Sequence, residues 1–330
     1  MNQPTSESSR RTSDAERRRR IAAELPCASA GVEGASPTHK GKVRDVFGHG
    51  DEVLLVASDR VSAFDVVLGT IPFKGELLTE QAVFWLERAG SIAPTHLLER
   101  VDPVAMRCRR AQALPVELVV RGYLAGSLAR EPAETRGQAY GLRLDPKQQP
   151  HTAFAAPIIT PTTKEAVGFH DQPCSLDDLV ASGRVSRAHL DRACEIARAL
   201  FALGQAHADA QGLILVDTKY EFGLIDGEVA IIDEVHTADS SRFWVKDTWA
   251  ARVAAGEVPE MLDKENLRRW LLSVGYSGHG TPPTLTDGVR TDLAAHYWEL
   301  TERVLGHPVS PVGADAARLQ RVVSRFLHRS

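Results

Sequence analysis

The segment from Leu213 to Ile232 constrains the fold most. Leu213–Phe222 and Val229–Ile232 are two runs rich in strand-forming residues, joined around Asp226-Gly227. An Asp-Gly pair between apolar runs is a strong hairpin signal, because both turn positions of the tightest loop need positive φ. Antiparallel sheet is therefore expected. Strand side chains alternate faces, so Asp217, Lys219 and Glu221 share one face, and Val216, Thr218, Tyr220 and Phe222 share the other. Two carboxylates and an ammonium in one row are costly to bury unless each has a partner or a metal. A solvated strand face carrying cross-strand ion pairs has the same pattern.

Asp233-Glu234 follow directly on Ala230-Ile231-Ile232. Hairpin register decides what they can do. A two-residue loop at Asp226-Gly227 pairs Ile225 with Glu228 and puts Glu221 and Asp233 on opposite faces. A three-residue loop, with Gly227 left-handed and a bulge, puts them on the same face. Carboxylates on one face of neighbouring strands can hold Mg²⁺ through a few oxygens while ATP phosphates complete the octahedron. Lys219 beside them would neutralise phosphate charge. This chemistry predicts the bulged loop, with Glu221 and Asp233 as the metal ligands.

Lys40 to Ala57 reads as strand, turn, strand around Gly48-His49-Gly50-Asp51. Lys42 and Arg44 are two apart and are expected on one face. Such a hairpin either lies over a triphosphate or is an ordinary surface hairpin. Gly48-x-Gly50 is no dinucleotide fingerprint, since Val53 holds the third glycine position and no helix follows. A further strand, Val116–Val120, ends at Arg121 and the turn Gly122–Ser127. Small residues there let backbone N–H groups approach an anion, and arginine binds carboxylate or phosphate in bidentate fashion. Ser58–Asp65 and Ser240-Ser241-Arg242 place more donors at predicted strand ends. Each reads alone as a surface loop; together they point to a polar ligand bearing phosphate and carboxylate.

The spacing predicts helices from Thr79 to Gly90 and from Ser186 to Gln211, and a mostly helical chain from Lys246 onward. There Asp263 caps one helix that Gly275 ends, and Pro282-Pro283 precede two more. Arg130–Pro173 reads as long loops. Six arginines between Arg10 and Arg20 read as a solvated tail, with room for a short helical turn at its end, rather than a nucleic-acid arm, because no aromatic residue accompanies them. At 330 residues the chain suggests two domains, with room for a small third. Its net charge of −4 offers no basic field for nucleic acid. No stretch nears the roughly 18 apolar residues of a membrane helix. Cys27, Cys108, Cys174 and Cys194 form no C-x-x-C pair, and the N-terminus has no apolar signal segment. A soluble protein of a reducing compartment is expected.

At this point two segments resemble one family. Leu114-Pro115-Val116-Glu117-Leu118-Val119-Val120-Arg121-Gly122-Tyr123-Leu124-Ala125-Gly126-Ser127 is similar to one signature of the phosphoribosylaminoimidazole-succinocarboxamide synthases (SAICAR synthetases), and Leu215–Gly223 resembles the second. Gly41–Asp45, Ser58–Asp65 and Ile232–Arg242 resemble the same family. The likeness covers roughly residues 38 to 275. It implies an α+β, two-lobed ATP-binding fold with antiparallel sheets, a first domain partly kinase-like, a C-terminal helical region, and the nucleotide in the cleft between domains. The expected segments are an Arg-rich disordered tail at 1–20, a nucleotide-binding domain at 21–114, a central ATP, Mg²⁺ and substrate domain at 115–245, and helices at 246–330.

The resemblance also implies an activity. ATP, L-aspartate and the carboxyaminoimidazole ribonucleotide CAIR would give the succinocarboxamide SAICAR, ADP and phosphate through an acyl phosphate. The implied catalytic residues are Lys219 and Asp217. Lys42, Arg44 and Lys164 would meet ATP phosphates, and the strand Leu114, Val116 and Glu117 would meet adenine. Ser62, Asp65, Arg121, Ser127, Asp171, Ser241 and Arg242 would meet CAIR, with His170-Asp171 in a loop near it. Glu221 and Asp233 would hold Mg²⁺. Arg44 stands where many members have lysine, and His236-Thr237-Ala238-Asp239 departs from the usual Ser-Pro-Asp wording. A cytoplasmic monomer or small homo-oligomer is implied, with no nucleic-acid or membrane partner. Two alternatives stay open: a Mg-ATP phosphotransferase that forms no amide, and a nucleotide-dependent binding protein that uses the tail.

Overall fold

The computed structural model describes residues 11–26, 32, 36–165 and 171–329. Residues 1–10, Cys27 and His170 lie outside the described residues. Contacts divide the chain into two units that interleave in sequence: residues 1–81, 100–107 and 262–330 form unit 1, and residues 82–99 and 108–261 form unit 2. The contiguous segments expected from sequence run through this division.

The elements up to the first long strand are α1 (Asp14–Ala23), β1 (His39–Lys40), β2 (Arg44–His49), β3 (Glu52–Ala57), β4 (Arg60–Ala63), β5 (Val66–Thr70), α2 (Lys74–Ala89), β6 (Leu97–Asp102), β7 (Ala105–Arg109) and β8 (Gln112–Tyr123). Then come α3 (Gly126–Arg130), β9 (Ala153–Thr163), α4 (Leu176–Ala181), α5 (Arg187–Ala210), β10 (Leu213–Ile225), β11 (Glu228–Ile232) and β12 (Ser241–Val245). The chain closes with α6 (Lys246–Ala254), α7 (Glu265–Ser273), α8 (Asp287–Leu305) and α9 (Ala316–Leu327). This is the α+β fold with antiparallel sheets and C-terminal helices that the sequence predicts.

In unit 1, β1, β2 and β3 pair antiparallel, in the sheet order β1-β2-β3-β7-β6. Phe47, Leu54 and Val56 on this sheet pack against Leu319, Val323 and Phe326 of α9. Each such buried side chain contributes about 1.5–3 kcal/mol. The Arg-rich segment is a correction: from Asp14 it folds as α1, with Ser13 as N-cap. Arg17 and Ile21 are buried, and Arg17 pairs with Glu299 and with the fully buried Glu302. Composition alone reads such a run as tail; the tertiary partner Glu302 makes it helix. The start of α2 is a second correction. It lies at Lys74, not Thr79, and Thr79 Oγ1 donates back to the Gly75 carbonyl at 2.8 Å inside the helix. The open N–H of Gly75 donates instead to Asp59 Oδ1, distant in sequence, at 3.0 Å.

Unit 2 is built on the sheet β11-β10-β8-β9, with β12 also pairing β10. The 13-residue β10 meets β8 along one edge and β11 and then β12 along the other. Helix α5 starts at its Ser186 N-cap as predicted and packs on β10 and β8. Phe201 of α5 abuts Gly122, so α5 covers the even-numbered face of β8. The long-loop reading of Arg130–Pro173 fails over Ala153–Thr163, which is strand β9. Its Pro161 and Thr residues mimic loop composition, but β9 pairs with β8 and lies at the edge of the sheet.

Candidate active site

On the odd-numbered face of β10 the structure assembles two charge clusters. The first is a row across three strands. Asp217 lies directly opposite Arg121 of β8 and Arg242 of β12. Its Oδ2 accepts from Arg121 Nη1 at 3.0 Å and from Arg242 Nη1 at 2.5 Å. Arg121 also donates to Thr160 Oγ1 at 2.8 Å and to Ser127 Oγ at 3.3 Å. Burial pulls the Arg121 guanidinium below its ordinary pKa, against the pull of Asp217. Asp217 thus holds two guanidiniums side by side, donors suited to an anionic ligand. Gly126 explains the small-residue turn: its φ is +61°, and a Cβ there would stand 2.5 Å from the Arg242 guanidinium.

The second cluster surrounds Lys219. Its Nζ donates to Glu117 Oε1 at 2.8 Å and to Glu221 Oε1 at 2.5 Å. Lys164 Nζ, just beyond β9, donates to the other Glu221 oxygen. Burial disfavours the Lys219 ammonium, but the charges of Glu221, Glu117 and Asp233 outweigh it and hold its pKa above the ordinary value. Burial likewise pushes the Glu221 carboxyl up, and Lys219 and Lys164 reverse this and hold it well below the usual carboxylate range. Burial raises the pKa of Glu117, opposed by Lys219 and reinforced by Glu221. The carboxylates of Glu117, Glu221 and Asp233 thus act on the ammoniums of Lys219 and Lys164 here.

The bulged hairpin loop is not observed. Ile225 pairs with Glu228, so the loop is Asp226-Gly227 alone, with φ of +54° and +83°. Glu221 faces Ile232. In a regular ladder Asp233 would then fall on the opposite face. The chain solves this differently: β11 stops at Ile232, Asp233 takes φ +63°, and its charge acts on Lys219. His96 Nε2 contacts the Asp233 carbonyl at 3.2 Å. Among the described residues, no group of three or more His, Cys, Asp or Glu side chains is placed to hold a metal unaided. Glu221 and Asp233 carry hard carboxylate oxygens, the kind of donor of which Mg²⁺ takes one or two from a protein when phosphates and water fill the rest. The donor set therefore fits that ion.

Other expected residues fall into place unevenly. Leu114 and Val116 are buried, in a stretch where the β8–β10 register shifts between Ala113 and Glu117. Glu117 turns its side chain to Lys219, a contact sequence reasoning missed. The signal was available, since Glu117 and Arg121 share parity on one strand. Ser241 is not in the arginine row: it faces Thr218, to which its hydroxyl donates at 2.7 Å, on the face opposite Asp217. Alternation along β12 separates it from Arg242. Asp171 accepts from the Glu165 N–H at 2.8 Å.

In unit 1, Lys42 is exposed and pairs with Asp65 at the β4–β5 turn. Lys42 and Arg44 do not share an open strand face. Lys42 precedes β2, in a turn closed by the Gly41 N–H on the Arg44 carbonyl at 2.8 Å, and Arg44 is buried. Ser62 is buried on β4.

Comparison with known proteins follows this geometry. Residues 37–284 match the sequence profile of SAICAR synthetase. The chain is 42% identical over 278 residues to the phosphoribosylaminoimidazole-succinocarboxamide synthase of Cytophaga hutchinsonii, covering 83% of this chain and 89% of that one. It is 40% identical over 301 residues to the enzyme of the same name from Halorhodospira halophila, covering 86% and 99%. Among solved structures, the SAICAR synthase from Saccharomyces cerevisiae complexed with SAICAR matches with a TM-score of 0.73 and 29% identity, covering 85% and 98%.

Proposed function

The chain belongs to the SAICAR synthetase family, ATP-dependent ligases of purine biosynthesis, and from that premise we propose that it joins L-aspartate to the carboxylate of CAIR through an acyl phosphate. The observation that carries this reading is the pair of charge clusters on one face of β10. One centres on two guanidiniums and suits an anionic substrate; the other gathers carboxylates around two ammoniums and suits a cation-bound nucleotide.

The chemistry explains the need for both. A carboxylate is a poor electrophile because oxide would have to leave. Transfer of the γ-phosphoryl group from ATP to the CAIR carboxylate makes phosphate the leaving group. The amine of aspartate then attacks the acyl carbon, and phosphate departs. Positioning and charge neutralisation dominate such phosphoryl transfers. Arg121 and Arg242, fixed by Asp217, hold the anionic substrate together with Ser127. Lys219, held charged by its carboxylate neighbours, faces the developing negative charge. Glu221 and Asp233 would hold Mg²⁺, which when bound neutralises phosphate charge. Lys164, Lys42 and Arg44 are assigned to phosphates, the Leu114–Glu117 stretch to the base, and Ser62, Asp65 and Asp171 to CAIR.

A cytoplasmic monomer or small homo-oligomer completes the reading. Among the described residues no helix is long and apolar enough to cross a membrane. The test is a coupled assay with ATP, CAIR and aspartate, each omitted in turn. ADP formation should require all three. ADP release without aspartate, with no amide formed, would favour the phosphotransferase instead.

A further inference from the structure

Behind the charged face of β10 lies a buried pair that the chemistry above does not use. Tyr220 sits between Lys219 and Glu221 but points the other way, toward α5. Its Oη is 2.5 Å from Nε2 of His236, and both residues are fully buried. Burial raises the Tyr220 pKa well above its ordinary value. Burial, with His207 nearby, draws His236 down to about 3. Both groups therefore stay neutral, and one hydrogen bond joins them, its direction set by the imidazole tautomer. The Trp85 ring packs edge-on against His236, with ring centroids 4.6 Å apart.

Helix α5 is notched to admit this ring. A Cβ on Gly204 would stand 2.4 Å from His236 Cε1 and 2.8 Å from Nδ1. Glycine is a poor helix former, so its place mid-helix marks a packing demand. His236 belongs to the segment between β11 and β12, which carries Asp233 at its start and leads into Arg242. Its backbone would not choose this path, since Asp233 and His236 have φ of +63° and +49° without being glycine. Such residues persist only where the surroundings over-determine them. The segment is tied at Asp233 by His96, at Ser240 by the Lys219 N–H, and at Ser241 by Thr218. Between Asp233 and the Thr237–Ser240 turn, His236 on Tyr220 is a deep anchor, beside the fully buried Val235.

We infer that His236 is a positioning residue: anchored on Tyr220 through the sheet, it fixes the left-handed turn that brings Asp233 to the Lys219–Glu221 side. The inference deepens the reading proposed above and rests on Asp233 being a metal ligand. It gives a role to the one stretch that departs from the family wording.

Binding of Mg-ADP and of metal-free ADP to the purified full chain, measured by calorimetry, tests it without turnover. Tyr220→Phe and His236→Leu should each weaken Mg-ADP binding by about tenfold or more, as loss of an outer partner of a metal ligand does, and leave metal-free ADP nearly unchanged. His236→Gln, whose amide can accept from Tyr220, should recover most of the loss. Hydrogen exchange at residues 234–240 should speed up in the weakened variants, with α5 unaltered. Should His236→Leu fail to fold, Tyr220→Phe carries the test alone, since it keeps the ring. Variants that melt earlier yet keep the Mg-ADP advantage would overturn the inference, as would a wild-type chain that binds ADP equally with and without Mg²⁺. A chain that shows the coupling but makes no amide would refute the ligase reading instead.

Discussion

Glu117 and Glu221 stand directly opposite each other on β8 and β10, and Lys219 Nζ bridges them at 2.8 and 2.5 Å. Like charges opposed across a ladder repel. The ammonium makes the pair tolerable and is itself held charged by it. In the proposed reading, structure and chemistry would thus be served by one atom.

Removing that atom separates the two roles. Lys219→Met should lower turnover by at least about 100-fold. It should also destabilise the fold by about 1–3 kcal/mol, because two carboxylates lose their donor. Adding Glu117→Gln should restore much of the melting temperature and none of the turnover. Recovery of turnover in the double variant would show that Lys219 only keeps the strands together.

The arginine row predicts a selective defect. Arg242→Ala should raise the KM for CAIR by about tenfold or more, the worth of a charge-assisted hydrogen bond, and leave the KM for ATP nearly unchanged. Steady-state kinetics with each substrate varied will decide it. Equal effects on both substrates would detach the row from CAIR.

Gly126→Ala should imitate that variant from a distance. The added methyl meets the Arg242 guanidinium and forces a left-handed backbone on alanine, at a cost of about 1–2 kcal/mol. A raised KM for CAIR with modest loss of thermal stability is expected. An unaltered KM would mean that Arg242 moves aside freely.

His236 predicts an acid limb in stability. Its pKa falls from 6.5 unfolded to about 3 folded, because burial disfavours the cation. The unfolded chain therefore takes up the proton first. The histidine's contribution is intact above pH 6.5 and is lost as pH falls toward 3, by up to about 1.4 kcal/mol per pH unit. Denaturant titrations of the wild type and His236→Gln from pH 7 to 4 should converge or cross as the pH drops. Parallel curves would show that the imidazole is protonated in the fold.

At the N-terminus, Arg17→Met should cost about 3 kcal/mol or more, since it leaves Glu302 buried with its charge less compensated. Trp298 and Thr12 still donate to that carboxylate and set the limit of the loss. Thermal melting checks this; a shift within error would mean the helix is dispensable.

Much of this was legible in residue order. Period-two alternation placed Asp217, Lys219 and Glu221 together, and Asp226-Gly227 marked the hairpin. Three of the failures share one cause: partners distant in sequence. Asp59 satisfies the start of α2, Glu302 turns an arginine run into helix, and β8 recruits the Pro- and Thr-rich β9. Asp233 reached its place by a backbone torsion, which no periodicity encodes. Taking Leu114–Glu117 as the strand that meets adenine leaves out the contact of the Glu117 side chain with Lys219.

β10 carries both clusters on one uninterrupted ladder, with Asp217 and Glu221 separated by four residues, or about 13 Å at strand rise. In the proposed reading the strand is a ruler: it would set how far apart two charged ligand groups must lie to be gripped at once. One residue inserted between these marks would turn one of them to the helix side, so chain-length changes that preserve the chemistry must fall outside this span.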